Sequence, residues 1–203
     1  MSWTLTVSSV VSGAALLSYA LLLAFMVRNG LSRRTHRFFA AYLASMMLWS
    51  FGAVMMYADP ADVVIWQKVL VAGTTLVPLT FYGFVRQFRG QRGPDQVFIV
   101  GSVVMVLMLV LNAYGYLFQD VTISQEGLIG LQFGPLMPAF GAYYLFFMVL
   151  SAVYLVGDFR RTQDFETRNR IKYVLVGITF IIIGSLTNLC LWERLFRWTS
   201  RRT

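Results

Sequence analysis

Three polar side chains, Lys68, Asn112 and Asn188, interrupt long apolar runs in this chain. In hydrocarbon each needs a partner or a water-filled cavity, because no bulk solvent is present to satisfy an ammonium or an amide. With the ring residues Trp66, Tyr114, Tyr143 and Tyr144 they supply a cation, amide donors and acceptors, an indole and phenols, which is chemistry for recognition rather than for bond making. The candidate ligand pocket is therefore Lys68, Trp66, Asn112, Tyr143 and Asn188, with Lys68 as its cation. A plainer reading uses the same residues. Lys68 snorkels to the headgroups or pairs with Asp62, the aromatic residues populate the bilayer interface without binding anything, and Asn112 and Asn188 tie neighbouring helices together.

Catalytic chemistry fails on supply. The chain has one histidine, one cysteine and nine carboxylates, and the carboxylates lie nearly all in loops. No HExxH, GxSxG or glycine-rich phosphate loop occurs, and Cys190 alone makes neither a disulfide nor a CxxC pair, so it reads as a small buried apolar residue. No enzyme activity, metal or cofactor is expected. The net charge of +8 does not point to nucleic acid, because the arginines sit in short loops beside apolar runs and form no continuous basic face.

The elements that must position these residues are membrane spans. Hydrophobic residues make up 58% of the 203, charged residues only 13%, and mean hydropathy is +0.65, too apolar for a chain whose surface faces water. The pattern predicts an all-α polytopic membrane bundle of about six transmembrane helices, since a span takes about 20 apolar residues. The runs are 5–27, 38–57, 63–85, 97–118, 135–157 and 173–192, making a bundle over 1–192 with a basic tail at 193–203. Arg28, Gly30 and the cluster Arg33, Arg34, His36, Arg37 read as a helix stop and a basic loop. Pro60 stands where a third helix begins, and Pro135 suits the first turn of the fifth. Pro78, with Gly73, Thr74 and Thr75 before it, marks a kink and a candidate hinge in the third span. In the longest loop, 119–134, residues 121–123 and 128–133 flank a glycine-containing turn and predict a short hairpin.

The short loops after the first, third and fifth runs hold Arg28, Arg33, Arg34, Arg37, Arg86, Arg89, Arg92, Arg160, Arg161, Arg168, Arg170 and Lys172, whereas the loops after the second and fourth hold no Lys or Arg. The positive-inside rule puts the basic loops in the cytoplasm and the N-terminus outside, in the cell's inner (plasma) membrane. Lys68, Asn112, Asn188 and Tyr143 then fall in the outer third of the bilayer. The tail resists this scheme, because a sixth span would bring Arg194, Arg197, Arg201 and Arg202 outside. Three readings fit: a tail tolerated outside, a tail lying in the interface on Trp192, Phe196 and Trp198, or a chain stopping short of a seventh helix.

Several local patterns occur in order along the chain. Arg37 leads a second helix carrying Tyr42 and Trp49, Gly73, Pro78 and Phe81 lie in the third, and Gly134, Pro135 and Tyr143 open the fifth. Arg168, Asn169 and Arg170, followed by Leu175, Val176 and Gly177, lead into the sixth. In this order and spacing the chain resembles the N-terminal seven-helix membrane region of bacterial sensor histidine kinases. The resemblance implies a sensory input domain whose seventh helix leads to a cytoplasmic phosphoacceptor helix pair and an ATP-binding domain. It also implies dimers formed largely through those cytoplasmic parts. This sequence departs from the pattern by ending after the sixth helix, and is expected to be a truncated, frameshifted or isolated input domain. His36 has no phosphoacceptor context such as a His-Glu pair.

The expected function is thus the membrane-embedded input domain of a two-component histidine kinase, with the kinase core absent from this chain. It would meet the lipid bilayer, an unknown small ligand or a membrane state, and no nucleic acid. The rivals are a small transporter or channel, which lacks support from mid-span carboxylates or repeated halves, and a membrane scaffold.

Overall fold

Long apolar segments without water partners must close their backbone hydrogen bonds internally, and helices do so within the segment. The computed structural model describes residues 3–28, 30–31, 34–91, 95–123, 129–166, 168–169 and 171–177. Five described helices are long and apolar enough to cross a membrane. They are α1 (Trp3–Arg28), α2 (Arg34–Ala58), α3 (Val63–Phe88), α4 (Gln96–Ala113) and α5 (Met137–Arg161). A 3₁₀ turn, Pro60–Asp62, leads into α3. An antiparallel hairpin of β1 (Phe118–Ile123) and β2 (Ile129–Phe133) fills the connection before α5, where the glycine-centred pattern of the loop predicts it. The chain is an all-α membrane bundle, with this small sheet among its described residues.

Helix ends follow from identifiable residues. At the end of α3, Gly90 adopts φ +76°, which lets the Gly90 N–H reach the Gln87 carbonyl and the Gln91 N–H reach that of Arg86. Gly115, at φ +82°, does the same for α4, the Gly115 N–H bonding Asn112 O and the Tyr116 N–H bonding Leu111 O. Both are the glycine-dependent double closure that satisfies the last carbonyls of a helix. This moves the end of the fourth span from the expected 118 to Ala113. Hydropathy misses the stop because Tyr114, Tyr116, Leu117 and Phe118 continue the apolar run. Residues 134–136 belong to the hairpin's base: the Gly134 N–H bonds Leu117 O at 2.8 Å and the Leu136 N–H bonds Tyr116 O at 3.3 Å. α5 accordingly starts at Met137, two residues after Pro135.

The basic cluster before the second span is helical rather than a loop, since α2 includes Arg34, Thr35, His36 and Arg37. Positive side chains are unfavourable at a helix N-terminus. Here Arg37 reaches back to the preceding segment, its Nε donating to Leu31 O at 2.9 Å, and His36 Nδ1 lies 3.3 Å from Gly30 O.

The chain divides into two compact units, residues 1–151 and 152–203. In the first, α1 packs on α2, and its Val10, Val11, Leu17, Leu21, Leu22 and Phe25 are exposed, a surface suited to lipid. α2 and α3 approach closely at glycines: a β-carbon on Gly52 would lie 2.6 Å from Leu70 N, and one on Gly73 would collide with the Trp49 backbone. Small residues at such crossings let transmembrane helices gain van der Waals contact, the main attraction available in lipid. Nearer the other end of α3, Tyr42 meets Phe81 and Phe39 meets Phe84, at centroid separations of 5.4 and 5.2 Å.

α3 and α4 run antiparallel in a readable register. Lys68 meets Ala113, Val71 shares a core cluster with Met108, Leu79 packs near Gly101, and Arg86 pairs with Asp95. Aromatic side chains join α5 to this pair: Phe147 contacts Tyr82 at 5.4 Å and fills the space beside Gly101.

In the second unit, helical residues at 165–166, 168–169 and 171–177 follow the end of α5. The Arg168 guanidinium lies 4.8 Å from the centre of the Phe159 ring, a cation–π contact. α5 carries Asp158, Arg160 and Arg161 in its final turns, beyond the expected limit of 157, and the two arginines suit the negative end of the helix dipole. Cys190, most of the sixth apolar run and the tail 193–203 lie outside the described residues.

Candidate functional site

Lys68 and Asn112 are brought together at the end of the bundle that carries the hairpin. Lys68 Nζ donates to the Ala113 carbonyl at 2.9 Å, and Asn112 Nδ2 donates to the Lys68 carbonyl at 2.9 Å. Each helix thus offers a side chain to the other's backbone. The ammonium sits where α4 ends and the helix dipole is negative, a favourable place for a cation. Its partner is that carbonyl and not Asp62, the carboxylate that the plainer reading offered beside snorkelling. Asn112 is only 4% exposed, so its amide is held inside the contact.

Trp66 faces elsewhere. Its indole N–H donates to Asp59 Oδ2 at 3.1 Å, and its ring stands edge-on to Phe51 of α2 at 5.7 Å. Tyr143 meets α3 seven residues beyond Lys68, about 10 Å along the axis at 1.5 Å per residue. Its hydroxyl donates to the buried Thr75 carbonyl at 3.0 Å. Of the candidate set, Lys68 and Asn112 touch, whereas Trp66 and Tyr143 each engage a separate partner. Asn188 lies outside the described residues.

Pro78 is buried within a continuous α3. Its ring removes the N–H that would bond Thr74 O, and it crowds that carbonyl. The hydroxyls of Thr74 and Thr75 bond back to Leu70 O and Val71 O at 2.9 and 2.7 Å, which satisfies them in hydrocarbon and favours a bend. The Tyr143 phenol lands on this weakened stretch, so α5 holds α3 at the turn where its own ladder is interrupted.

Two polar features escaped the sequence reading. Gln67, the neighbour of Lys68 in the third apolar run, is buried at 3% exposure. Its Nε2, together with Asn112 Oδ1 and Ser50 Oγ, finds no hydrogen-bond partner among the described residues. The second feature is a clasp at the opposite ends of α3 and α4. Asp95 Oδ2 accepts from the Tyr82 hydroxyl at 2.7 Å and pairs with Arg86 Nε at 3.1 Å, while Oδ1 caps α4 through the Val97 N–H at 3.0 Å. The signal for the cap was available, because an Asp just ahead of an apolar run is a preferred helix start.

These arrangements bind and position, and carry no nucleophile beside a base. Among the described residues no three His, Cys, Asp or Glu side chains cluster as metal ligands would.

Several of the residues on which the family resemblance rests make contacts between helices. Tyr42 packs on Phe81, Trp49 leaves its backbone against Gly73, and Tyr143 reaches the carbonyl three residues before Pro78. Gly134 admits no side chain, since a β-carbon there would collide with the Tyr116 carbonyl. These contacts fix how α2, α3 and α5 fit. A family model described as the N-terminal 7TM region of histidine kinase matches residues 10–199. Neither a curated protein nor a solved structure matches the chain.

Proposed function

The chain belongs to the family of N-terminal 7TM regions of histidine kinases, and from that membership we propose that it is the membrane-embedded sensory input domain of a two-component kinase. The observation that carries the reading is a match running from within α1 through every later described helix. Phosphoryl transfer belongs to parts of such a kinase other than these residues. In this reading the protein lies in the inner (plasma) membrane with its N-terminus outside. The arginine-bearing ends of α1, α3 and α5 face the cytoplasm and anionic headgroups, at roughly 1 kcal/mol per basic residue near the surface.

The stimulus, a small ligand or a membrane state, acts at the hairpin end around Lys68 and Asn112. It is relayed down α3 through the hinge at Pro78 and the Tyr143 contact. A relay of this kind needs two packings that the stimulus distinguishes, and a proline-weakened helix held by one phenol offers a bistable element. Dimerisation falls to the cytoplasmic parts of the kinase.

The test joins this chain in frame, through the seventh transmembrane helix of a reporter histidine kinase, to that kinase's phosphoacceptor and ATP-binding core and measures autophosphorylation in proteoliposomes. Pro78→Ala and Tyr143→Phe are expected to shift basal output severalfold while the protein remains folded and inserted. Output identical across folded variants, and indifferent to deletion of the membrane part, would overturn the reading.

A further inference from the structure

The register of α3 on α4 places two buried amides at one level. Val71 and Met108 share a core cluster with Leu117 and Phe140. One helical turn on toward the hairpin, α3 carries Gln67 and α4 carries Asn112, because residues four apart stack on one face. Asn112 Nδ2 already bonds the carbonyl of Lys68, the neighbour of Gln67 in the chain.

Gln67 and Asn112 are 3% and 4% exposed. Gln67 Nε2 keeps a donor, and Asn112 Oδ1 an acceptor, without a partner among the described residues. A buried polar group with no partner is costly, and a bilayer supplies no bulk water to relieve it. The group that answers both must accept from an amide N–H and donate to an amide carbonyl. An anion is repelled by the Asn112 oxygen and a cation by the Gln67 N–H, and the adjacent Lys68 ammonium is engaged with Ala113 O. A hydroxyl does both at once.

We propose that Gln67 and Asn112 form a binding site for a single hydroxyl group at the hairpin end of the α3–α4 contact. The hydroxyl accepts from Gln67 Nε2 and donates to Asn112 Oδ1, bridging the helices as a buried water or the hydroxyl of a lipid glycerol does. The proposal rests on the sensory reading only for the importance of this end of the bundle, and its readout is independent of kinase output.

The test uses the full chain in lipid nanodiscs with nitrogen-15 and carbon-13 in its Gln and Asn side chains. Magnetic resonance then looks for transfer between the Gln67 amide protons and a hydroxyl. Gln67→Met, close to isosteric, assigns the signal. A cross peak at the water frequency, unchanged when phosphatidylglycerol is replaced by phosphatidylcholine, supports the site with water as its occupant. A cross peak to glycerol protons that depends on phosphatidylglycerol supports it with lipid as the occupant. Because the wild-type spectrum carries the result, a variant that fails to fold does not remove the test. Transfer from the Gln67 amide directly to the Asn112 carbonyl carbon, with no hydroxyl cross peak, overturns it. That result leaves the reporter-kinase experiment untouched, just as a silent reporter leaves the site standing.

Discussion

The hydroxyl of Tyr143 on the Thr75 carbonyl shows how much a single atom does in an apolar interior. A hydrogen bond between helices in a membrane contributes about 0.6 kcal/mol on average and roughly 1.7 at most. Tyr143→Phe keeps the ring and its contact with Phe147, so its cost in detergent unfolding is expected to stay inside that range. A loss well above it would mean that the phenol supports more than this carbonyl. Asp95 does several jobs at once, taking the Tyr82 hydroxyl, pairing with Arg86 and capping α4. Asp95→Ala removes all three and is expected to cost about 2 kcal/mol, since a lost cap alone costs about 1. Asp95→Asn keeps a good cap and gives up the charge. The Asn variant should therefore unfold measurably later than the Ala variant, and equal midpoints would rule out the capping contribution.

At the scale of elements, the α2–α3 crossing depends on the absence of side chains. A β-carbon at Gly52 or Gly73 would run into backbone, of Leu70 and Trp49 respectively, whereas one at Gly13 of α1 would meet nothing within 4 Å. Backbone cannot rotate away as a side chain can, so Gly52→Ala and Gly73→Ala are expected to destabilise by about 1–3 kcal/mol, as overpacking does. Gly13→Ala should be neutral or stabilising by up to about 1 kcal/mol, because alanine is the better helix former. Thermal unfolding of the three variants checks the order, and an equal penalty at Gly13 would contradict the packing. Gly101 is an intermediate position. Its crowding comes from Phe147 and Leu79 side chains, which can shift, so Gly101→Ala should cost less than Gly73→Ala.

For the whole molecule, the inserted orientation is the first thing to measure. Reporter fusions at 60–62 and within 124–128 should be active only as exported enzymes, and fusions at 90–91 and 162–163 only as cytoplasmic ones, following the arginine distribution. The opposite pattern would reverse the side from which a stimulus arrives. Apolar run lengths in the sequence are enough to specify a helical membrane bundle, because hydrocarbon forces any segment about 20 residues long to satisfy its own backbone. The resemblance read from ordered residues such as Tyr42, Gly73, Pro78, Phe81 and Tyr143 agrees with the family model that matches residues 10–199. Residue chemistry in a line does not reveal partners, however. Lys68 reads from sequence as a pocket cation, a snorkelling lysine or a partner of Asp62, and its ammonium is found on the last carbonyl of α4. Trp66 and Tyr143 belong to separate contacts, and Gln67 emerges as a buried donor only when its azimuth on α3 is known. The stop at Gly115 is a matter of backbone φ, which hydropathy does not register. Sequence alone determined that this chain enters a membrane as helices, since that is a free energy of transfer summed along the chain. Which polar groups meet was decided only by tertiary structure, because a hydrogen bond depends on register and rotation between helices, and these are set by side-chain packing far from the groups that bond.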